Sequence, residues 1–334
     1  MTAGSAEVTR AQQGAKRVAC IGECMIELAH LGPTSLQMAF GGDTSNTAVY
    51  LARLTRGLDV GVDYVTALGD DLYSEAMLAF WQDEGVGTDL VARLEGRLPG
   101  LYTIRTDAQG ERSFTYWRGQ AAARDLLGGD RGEALIEALS GFDLVYLSGI
   151  TLSILDPCQR ERLFALLDAV RAAGGKVAFD GNFRPAGWPD AEAARQCFRE
   201  VLGRTDIALP TLDDEQALFG DADADAVAAR LHEHGVCEVV VKRGAAGCLL
   251  SGDGHLDTVA TTPVDPVIDS TAAGDSFNAG YLAARLLGAS RTGAAQTGHR
   301  LAGLVVRHRG AIIPKEAMAV DLTPALGDAG EGKG

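Results

Sequence analysis

The sequence predicts an α/β fold in which a central, mostly parallel sheet is flanked by helices. Beyond residue 131, helical patterns alternate with short apolar runs of strand length, and this alternation is typical of parallel strands covered on both faces. No internal repeat, low-complexity linker or block of charge divides the chain. The 334 residues are therefore expected to form one large core with smaller excursions from it.

Composition and charge restrict the class of protein. Hydrophobic residues make up 46% of the chain and charged residues 22%. No apolar run is long enough to span a bilayer and no signal-peptide core is present, so we expect a cytoplasmic protein. The net charge of −15 disfavours nucleic acid and anionic membranes as partners. A small anionic ligand remains compatible, because local backbone donors and a few cations can bind it.

The N-terminal part of the chain predicts a tail, a strand and a helix. Residues 1–16 are small and polar without periodicity, which predicts a disordered tail. Residues 17–23 have the apolar pattern of a strand that ends at a glycine, and residues 41–53 predict a turn that enters a helix.

That turn carries polar groups suited to a polyhydroxyl ligand. Gly41 and Gly42 allow a backbone to approach a ligand closely. Asp43 and Asn46 supply oxygen and nitrogen atoms that hydrogen-bond hydroxyl groups. The alternative is that Asp43 only caps the helix.

Residues 99–118 alternate with a period of two around Gly110, which predicts a β-hairpin. Tyr102 and Ile104 share one face of its first arm. One face of its second arm carries Arg112, Phe114, Tyr116 and Arg118. This aromatic surface with cations at its edge suits a ligand or a subunit contact equally well.

The remainder of the chain supplies the regular alternation. Helical patterns cover residues 132–139, 157–173, 190–202 and 224–233, and short apolar strands cover 143–148, 176–180, 206–209 and 237–242. In such sheets, ligands collect at the carboxyl ends of the strands. Polar residues that directly follow a strand are therefore candidates for a site.

Two loops that follow strands carry such residues. Asn182 and Arg184 follow one strand, and a guanidinium binds a carboxylate through two hydrogen bonds. Past the next strand the candidates are Thr211, Asp214 and Glu215. An ordinary surface loop and plain charge at a helix start are the alternatives.

Residues 239–250 predict a strand, a glycine-rich turn and a second strand. Lys242 precedes the turn, which contains Gly244 and Gly247. The segment lacks G-x-x-x-x-G-K-[ST] and is not a Walker P-loop. In isolation, a simple hairpin turn explains it almost as well.

Residues 267–281 run from a strand-like end through small residues into an amphipathic helix. Ala272, Ala273 and Gly274 leave the first N–H groups of the helix uncovered, and the helix dipole favours a phosphate there. Asp275 falls in the first turn, where we expect the same field to keep it ionised and able to accept the proton of an attacking hydroxyl. The alternative is that Ser270 or Thr271 caps the helix and Asp275 only complements its dipole.

Two strings resemble signatures of the ribokinase, or PfkB, family of carbohydrate kinases. Asp269-Ser-Thr-Ala-Ala-Gly-Asp275 is similar to the usual Asp-Thr-Thr-Gly-Ala-Gly-Asp, and Gly41-Gly-x-x-x-Asn46-x-Ala48 is similar to the second signature. The resemblance extends over residues 17–318. It implies a ribokinase-like fold with a small β lid, contributed by about residues 29–41 and 98–120, and leaves residues 319–334 as a C-terminal tail.

The resemblance also implies roles for the candidate residues. Asp275 would be the catalytic base and residues 272–274 the anion hole, and Lys242, Thr211, Gly244 and Gly247 would lie along ATP. Where the family usually has Asn-x-x-Glu, governing Mg²⁺, this chain has Thr211-x-x-Asp214 with Glu215 adjacent. A monovalent cation and a homo-oligomer joined through the lid are further expectations.

Within the family, several strings resemble the branch that phosphorylates the terminal hydroxyl of 2-dehydro-3-deoxy-D-gluconate with ATP and Mg²⁺. They are Ile21–Leu28, Gly41–Asn46, Leu98–Tyr102, Tyr116–Arg118 and Arg309–Pro314. By this resemblance, the acid end of the substrate would meet Arg118, Arg184, Tyr102 and Tyr116, with Asn182 projecting toward the site. Its hydroxyls would meet Gly41, Gly42, Asp43 and Asn46.

Two other functions stay open. A fructokinase or ribokinase is the nearer one, although a neutral sugar has no use for two arginines. A non-catalytic ligand-binding protein on this fold is the more distant one, and it would not need Asp275. A dinucleotide oxidoreductase is disfavoured because no G-x-G-x-x-G follows the first strand.

Overall fold

Thirteen strands form two sheets in the part of the chain that this computed structural model describes, residues 15–106, 112–318 and 320. In chain order they are β1 (Lys16–Ile21), β2 (Met25–His30), β3 (Leu36–Gly41), β4 (Val60–Leu68), β5 (Val91–Arg93), β6 (Gly100–Thr106), β7 (Arg112–Trp117), β8 (Leu144–Ser148), β9 (Lys176–Asp180), β10 (Ile207–Ala208), β11 (Glu238–Lys242), β12 (Cys248–Gly252) and β13 (His255–Val259). The main sheet has the order β13-β12-β11-β10-β9-β8-β1-β4-β5, and the smaller one has the order β3-β2-β6-β7.

The main sheet is parallel from β5 to β11, and only β12 and β13 pair antiparallel. Alternate residues of β1 enter different cores. Val18 and Cys20 pack with the core on one face, whereas Ala19 and Ile21 pack with the core on the other. This is the period-two geometry of a strand in a sheet that is covered on both sides. The predicted α/β fold is confirmed.

Helices cover the two faces. They are α1 (Asp43–Leu54), α2 (Leu72–Glu84), α3 (Arg131–Leu139), α4 (Gly149–Ile154), α5 (Pro157–Ala172), α6 (Ala191–Leu202), α7 (Leu212–Phe219), α8 (Ala224–Glu233), α9 (Ala273–Leu286) and α10 (Arg291–Val305). Side chains of α1, α2, α9 and α10 fill one core, and side chains of α3 to α8 fill the other. Among the described residues, none of the helices combines the length and apolar character that crossing a bilayer requires.

The smaller sheet, called the lid sheet below, contains the predicted hairpin. β6 and β7 pair antiparallel, β2 pairs antiparallel with β3, and β2 runs parallel to β6. The sheet begins at Met25, ahead of the boundary expected near residue 29. The predicted turn at Gly110 and the side chain of Arg112 lie outside the described residues.

Some predicted boundaries need correction. Lys16 belongs to β1 rather than to a tail, and its Nζ lies 2.7 Å from Asp143 Oδ1. Val320, assigned to the C-terminal tail, packs against the core; the other tail residues, 1–14, 319 and 321–334, lie outside the described part. Helix α10 begins at Arg291. Its first turns are rich in Gly and Ala, so they lack apolar periodicity, and Ser290 caps them by accepting from the N–H of Gly293 at 3.1 Å.

Candidate active site

Asp275 lies in the first turn of α9, as predicted, where α9 packs against α1. Asn46 of α1 donates its Nδ2 hydrogen to Asp275 Oδ2 at 2.8 Å. The hydroxyl of Thr47 donates to the backbone carbonyl of Asp275 at 3.2 Å. The two motifs that are most distant in the sequence therefore meet at one carboxylate.

The expectation that the helix field keeps Asp275 ionised is corrected by the surroundings of the carboxyl group, which favour its neutral form. Removal of the carboxyl group from water, followed by the negative charge of Asp43, raises the pKa of Asp275 to about 7. The hydrogen bond from Asn46 and the charge of Lys242 oppose this rise without cancelling it. Near neutrality the carboxyl group can thus accept or release a proton.

The residues before Asp275 form an open helix start. Ala272 is the N-cap with a left-handed backbone, φ 58°, and no side chain caps α9. The hydroxyl of Thr271 donates to Asp269 Oδ1 at 2.7 Å. The alternative of a side-chain cap from Ser270 or Thr271 is therefore not realised. The N–H of Ala273, predicted to face an anion, donates to the carbonyl oxygen of Ser270 at 3.3 Å, so the N–H groups of Gly274 and Asp275 are the ones left for an anion.

A buried cation lies beside this helix start. Lys242 Nζ is 3.5 Å from the position that a Cβ on Gly274 would take. The amino group donates to Asp180 Oδ2 at 2.7 Å and to Asn278 Oδ1 at 3.1 Å. Asn278 in turn donates to the same oxygen of Asp180 at 2.7 Å. Carboxylate and amide together hold the lysine at the carboxyl end of β11.

Asp43 is linked across the sheet to the loop after β9. Asn182 donates its Nδ2 hydrogen to Asp43 Oδ2 at 2.6 Å, and the N–H of Thr44 donates to Asp43 Oδ1 at 2.8 Å. The backbone of Asn182 is left-handed, φ 35°, which Asn tolerates better than most residues. Asp43 therefore organises the loop and does more than complement a helix end.

The glycine pair makes close contacts with the chain itself. A Cβ on Gly41 would lie 2.3 Å from the hydroxyl oxygen of Tyr102, and one on Gly42 would lie 2.2 Å from the carbonyl oxygen of Glu23. Glycine is thus required here for packing of the turn against β6 and the end of β1.

The lid sheet presents polar aromatic groups to the same region. Tyr102 donates its hydroxyl hydrogen to Glu27 and stacks near Tyr116, with ring centroids 5.7 Å apart. Arg118 donates to the buried carboxylate of Glu23. Tyr116 itself is half exposed, at 50%, so this part of the surface is open to a ligand.

The two acidic candidates after β10 have different partners. Asp214 accepts from Arg184 Nη1 at 3.2 Å. Glu215 is buried and accepts from Arg230 Nη2 at 2.6 Å, and burial raises the pKa of Glu215 to about 7. Arg230 engages the charge of Glu215. Asp214 is therefore the better placed of the two carboxylates to meet a ligand.

A cavity of about 640 Å³ adjoins the glycine turn. A Cβ on Gly247, at φ 82°, would lie 2.1 Å from the carbonyl oxygen of Val259 and 3.0 Å from Ala260 Cα, and Ala260 is one of the residues that line the cavity. The others are Thr262, Val264, Gln296, His299, Arg300, Gly303, Leu304, Arg307 and Val320. Gly244, at φ 54°, has open space beside it.

Thr211 joins the same edge. It forms an isolated parallel bridge with Lys242, and its side chain caps no N–H of α7. Thr211 therefore lies beside Lys242, which precedes the glycine turn.

Sequence reasoning missed several residues of this cluster. Asp180 is 3% exposed and Asn278 is fully buried, and Glu23 is 1% exposed. A polar residue at the end of a buried strand was available as a signal for Asp180 and Glu23. Asn278 lies one turn after Asp275 and so shares a helix face with it.

Comparison with known proteins begins with the sequence. A family described as pfkB family carbohydrate kinase matches residues 15–318. The 2-dehydro-3-deoxygluconokinase of Escherichia coli (strain K12) is 53% identical over 306 residues, which are 91% of this chain and 99% of that protein.

Two solved structures are similar to this fold. The 2-dehydro-3-deoxygluconokinase of Thermotoga maritima superposes with a TM-score of 0.81 at 19% identity, covering 95% of this chain and 99% of that one. The fructokinase of Xylella fastidiosa, solved with bound ATP, gives a TM-score of 0.77 at 26% identity, covering 94% and 98%. The first likeness concerns the fold alone.

Proposed function

The chain belongs to the pfkB family of carbohydrate kinases, and from this premise we propose that it phosphorylates 2-dehydro-3-deoxy-D-gluconate with ATP. The terminal hydroxyl becomes the 6-phosphate and ADP is released. The observation that carries the proposal is the 53% identity with a 2-dehydro-3-deoxygluconokinase over nearly the full length of both chains. The enzyme is a phosphotransferase with an alcohol acceptor.

Asp275 is assigned as the general base. Its carboxyl oxygen accepts the hydroxyl proton while the hydroxyl oxygen bonds to the γ-phosphorus and the bond from that phosphorus to ADP breaks. The pKa of about 7 suits this role, because a base is most effective when its pKa lies near the working pH. Asn46 keeps the carboxylate oriented through its hydrogen bond at 2.8 Å.

The start of α9 and Lys242 are assigned to the transferring phosphoryl group. The N–H groups of Gly274 and Asp275 stabilise the charge that spreads over its oxygens. Lys242, beside Gly274, adds a buried cation. Two different kinds of donor thus converge on one anion.

ATP is assigned to the edge formed by Thr211 and the glycine turn, with its base in the adjoining cavity. Mg²⁺ fits as a partner of the phosphates, because it is commonly held by one or two carboxylates plus substrate oxygens. In the described residues no three His, Cys, Asp or Glu side chains form a metal site of their own. Asp214 would hold the ion, which supplies charge neutralisation when bound.

The lid sheet and the loop after β9 are assigned to the sugar acid. Arg118 and Arg184 meet the carboxylate, with Tyr102 and Tyr116 beside it, and Asp43 and Gly41–Gly42 meet the hydroxyls. Arg118 and Arg184 already pair with Glu23 and Asp214, and an acid end would use their remaining donors, whereas a neutral sugar such as fructose has no carboxylate to offer them.

Phosphorylation assays on 2-dehydro-3-deoxy-D-gluconate, fructose and ribose test the proposal, with native protein and Asp275→Asn. We expect strong preference for the keto acid and a loss of kcat of at least about 1,000-fold in the variant, with substrate binding retained. Asp225→Asn, also in the first turn of a helix, is the matched control and keeps full activity. Preference for a neutral sugar would contradict the substrate, and turnover that survives in Asp275→Asn would contradict the base.

The lid sheet is also assigned as a subunit contact. Large apolar side chains are exposed on it, at 42–67% of their surface; they are Leu31, Leu36, Met38, Phe114, Tyr116 and Trp117. Apart from Leu31, which follows β2, these side chains lie on β3 and β7, the two edge strands of the sheet, and exposed apolar groups on edge strands favour association. Two copies of the chain joined there would each cover the other's lid.

A further inference from the structure

Glu23 is a buried acid that the roles above leave unexplained. It follows β1, a central strand of the main sheet, and precedes β2, the first strand of the lid sheet. Its residue surface is only 1% exposed. An ionisable side chain is rarely removed from water to this extent unless it has partners.

One carboxylate oxygen of Glu23 has such a partner. Oε2 accepts a hydrogen bond from Nη2 of Arg118, and the Arg118 side chain keeps 25% of its surface exposed. The guanidinium carries five N–H donors, so the remaining donors can face the ligand region. Glu23 thus holds the Arg118 guanidinium in one orientation, with its remaining N–H groups available to a carboxylate.

The second carboxylate oxygen of Glu23, Oε1, has no such partner within the described part of the chain. Oε1 is buried, and no described residue donates a hydrogen bond to it. It lies 2.9 Å from the position of a Cβ on Gly100, at the start of β6. A buried acceptor left without a donor is costly, by about 1–3 kcal/mol, and such atoms call for a specific explanation.

The surroundings of Glu23 are those of the proposed sugar site. Its backbone carbonyl lies against Gly42, and Asp43 and Arg124 are close enough to change its electrostatics. A Cβ on Gly100 would also lie 2.8 Å from Met25 Cγ, so glycine lets the start of β6 approach Glu23 and Met25 closely. The unpartnered oxygen therefore lies between the glycine turn and the lid sheet, where a hydroxyl group of a sugar would be bound.

We propose that Glu23 is a further substrate-binding and positioning residue: Oε2 orients Arg118 toward the carboxylate of the sugar acid, and Oε1 accepts a hydrogen bond from one of its hydroxyl groups. The inference rests on the proposed function for the acid part of the substrate. It explains why a carboxylate is placed next to a site for an anion: its charge is already matched by Arg118. The sugar hydroxyl then supplies the donor that Oε1 lacks.

Steady-state kinetics of Glu23→Gln and Glu23→Asp test this assignment. Glu23→Gln keeps the shape but replaces one oxygen by a donor group and removes the charge, and Glu23→Asp keeps the charge but shortens the reach. We expect both to raise KM for 2-dehydro-3-deoxy-D-gluconate by at least about tenfold, while KM for ATP stays within about twofold. The split between the two KM values separates a binding role from general loss of structure.

Glu84→Gln is the matched control. Glu84 is also buried, at 4% exposure, and pairs with Arg53 at 2.7 Å between α1 and α2. We expect it to lower the Tm without changing KM for the sugar acid. Thermal melts of the Glu23 variants confirm that a folded protein was assayed.

The outcomes separate the two proposals. A native chain that does not phosphorylate the sugar acid would overturn the proposed function and the acid-binding part of this inference with it. An active native chain whose Glu23 variants keep KM for the sugar acid would overturn the assignment of Glu23 alone. Equal increases in both KM values would mean that Glu23 only supports the fold, and would equally reject it.

Discussion

The protonation of Asp275 is decided by the groups around it rather than by its place in a helix. A first-turn aspartate normally has a lowered pKa, but here loss of water and the charge of Asp43 outweigh the helix field. The carboxyl group is protonated below its pKa and cannot then accept a proton. Its activity as a base is therefore expected to fall on the acid side of neutrality.

The pH dependence of kcat/KM for the sugar acid tests this. We expect an acidic limb with a midpoint near the pKa of about 7, since kcat/KM reports groups of the free enzyme. Asp43→Asn removes the charge that raises this pKa and is expected to shift the limb to lower pH, whatever its effect on KM. A limb that stays in place in Asp43→Asn belongs to another group, such as the terminal phosphate of ATP.

At the scale of elements, the start of α9 carries local backbone strain. Ala272 adopts φ 58°, a region in which Ala is less stable than Gly by about 1 kcal/mol or more. The usual signature of the family has Gly at this position. The strained residue is also one that we assign to the anion hole, where strain is commonly stored.

Two substitutions at opposite ends of α9 measure this strain. Ala272→Gly is expected to leave the free energy of unfolding unchanged or to raise it by about 1 kcal/mol, because relief of the left-handed strain offsets the entropy of glycine. Gly288→Ala, at φ 91° with open space beside it, is expected to destabilise by about 1 kcal/mol. Urea denaturation gives both values. Destabilisation by Ala272→Gly would show that the conformation of Ala272 is not strained.

The same scale explains how distant elements build one site. β9, β11 and α9 each contribute one group to the cluster of Asp180, Lys242 and Asn278. The lysine and aspartate side chains are 9% and 5% exposed, so each depends on the other to offset its lost hydration. Their hydrogen bonds to each other and to Asn278 hold the ends of β9 and β11 at fixed positions relative to the start of α9.

At the scale of the whole molecule, two cores and a lid sheet divide the tasks. The cores on the two faces of the main sheet hold the strand ends at fixed positions. The lid sheet has only a small cluster of its own, Met25, Tyr102, Ile104 and Ala29, and leaves apolar side chains exposed. Ile26, Leu28, Phe40 and Leu101 tie the sheet to a main core, so the exposed apolar side chains are the part of it that a second copy of the chain is expected to cover.

Sedimentation of the native chain and of Trp117→Arg tests that association. Trp117 is 59% exposed on the edge strand β7, so the native protein is expected to sediment as a dimer or larger assembly and the variant as a smaller species. Leu256→Arg, at 54% exposure on the edge strand β13, is the control and keeps the native assembly. A monomeric native protein would contradict association through the lid sheet.

The sequence by itself determined the elements and the family. Apolar runs of strand length and helical periodicity depend on neighbouring residues, so they predicted the parallel sheet and the helices α3, α5, α6 and α8 without knowledge of packing. The short helices α4 and α7 were not predicted. The small residues before Asp275 and its place in the first turn are likewise local. The substrate followed from the order of short strings along the chain, which the 53% identity supports.

Only the tertiary structure decided the state of the site. Asp180 and Lys242 are 62 residues apart, and Glu23 and Arg118 are 95 apart, so no local pattern reveals that they pair. The pKa of Asp275 rises because segments distant in sequence exclude water and bring Asp43 close. Left-handed Ala272 depends on how α9 is held by its neighbours. Burial and charge act on a side chain through its neighbours in space. A sequence pattern gives only its neighbours along the chain, so it does not predict these effects.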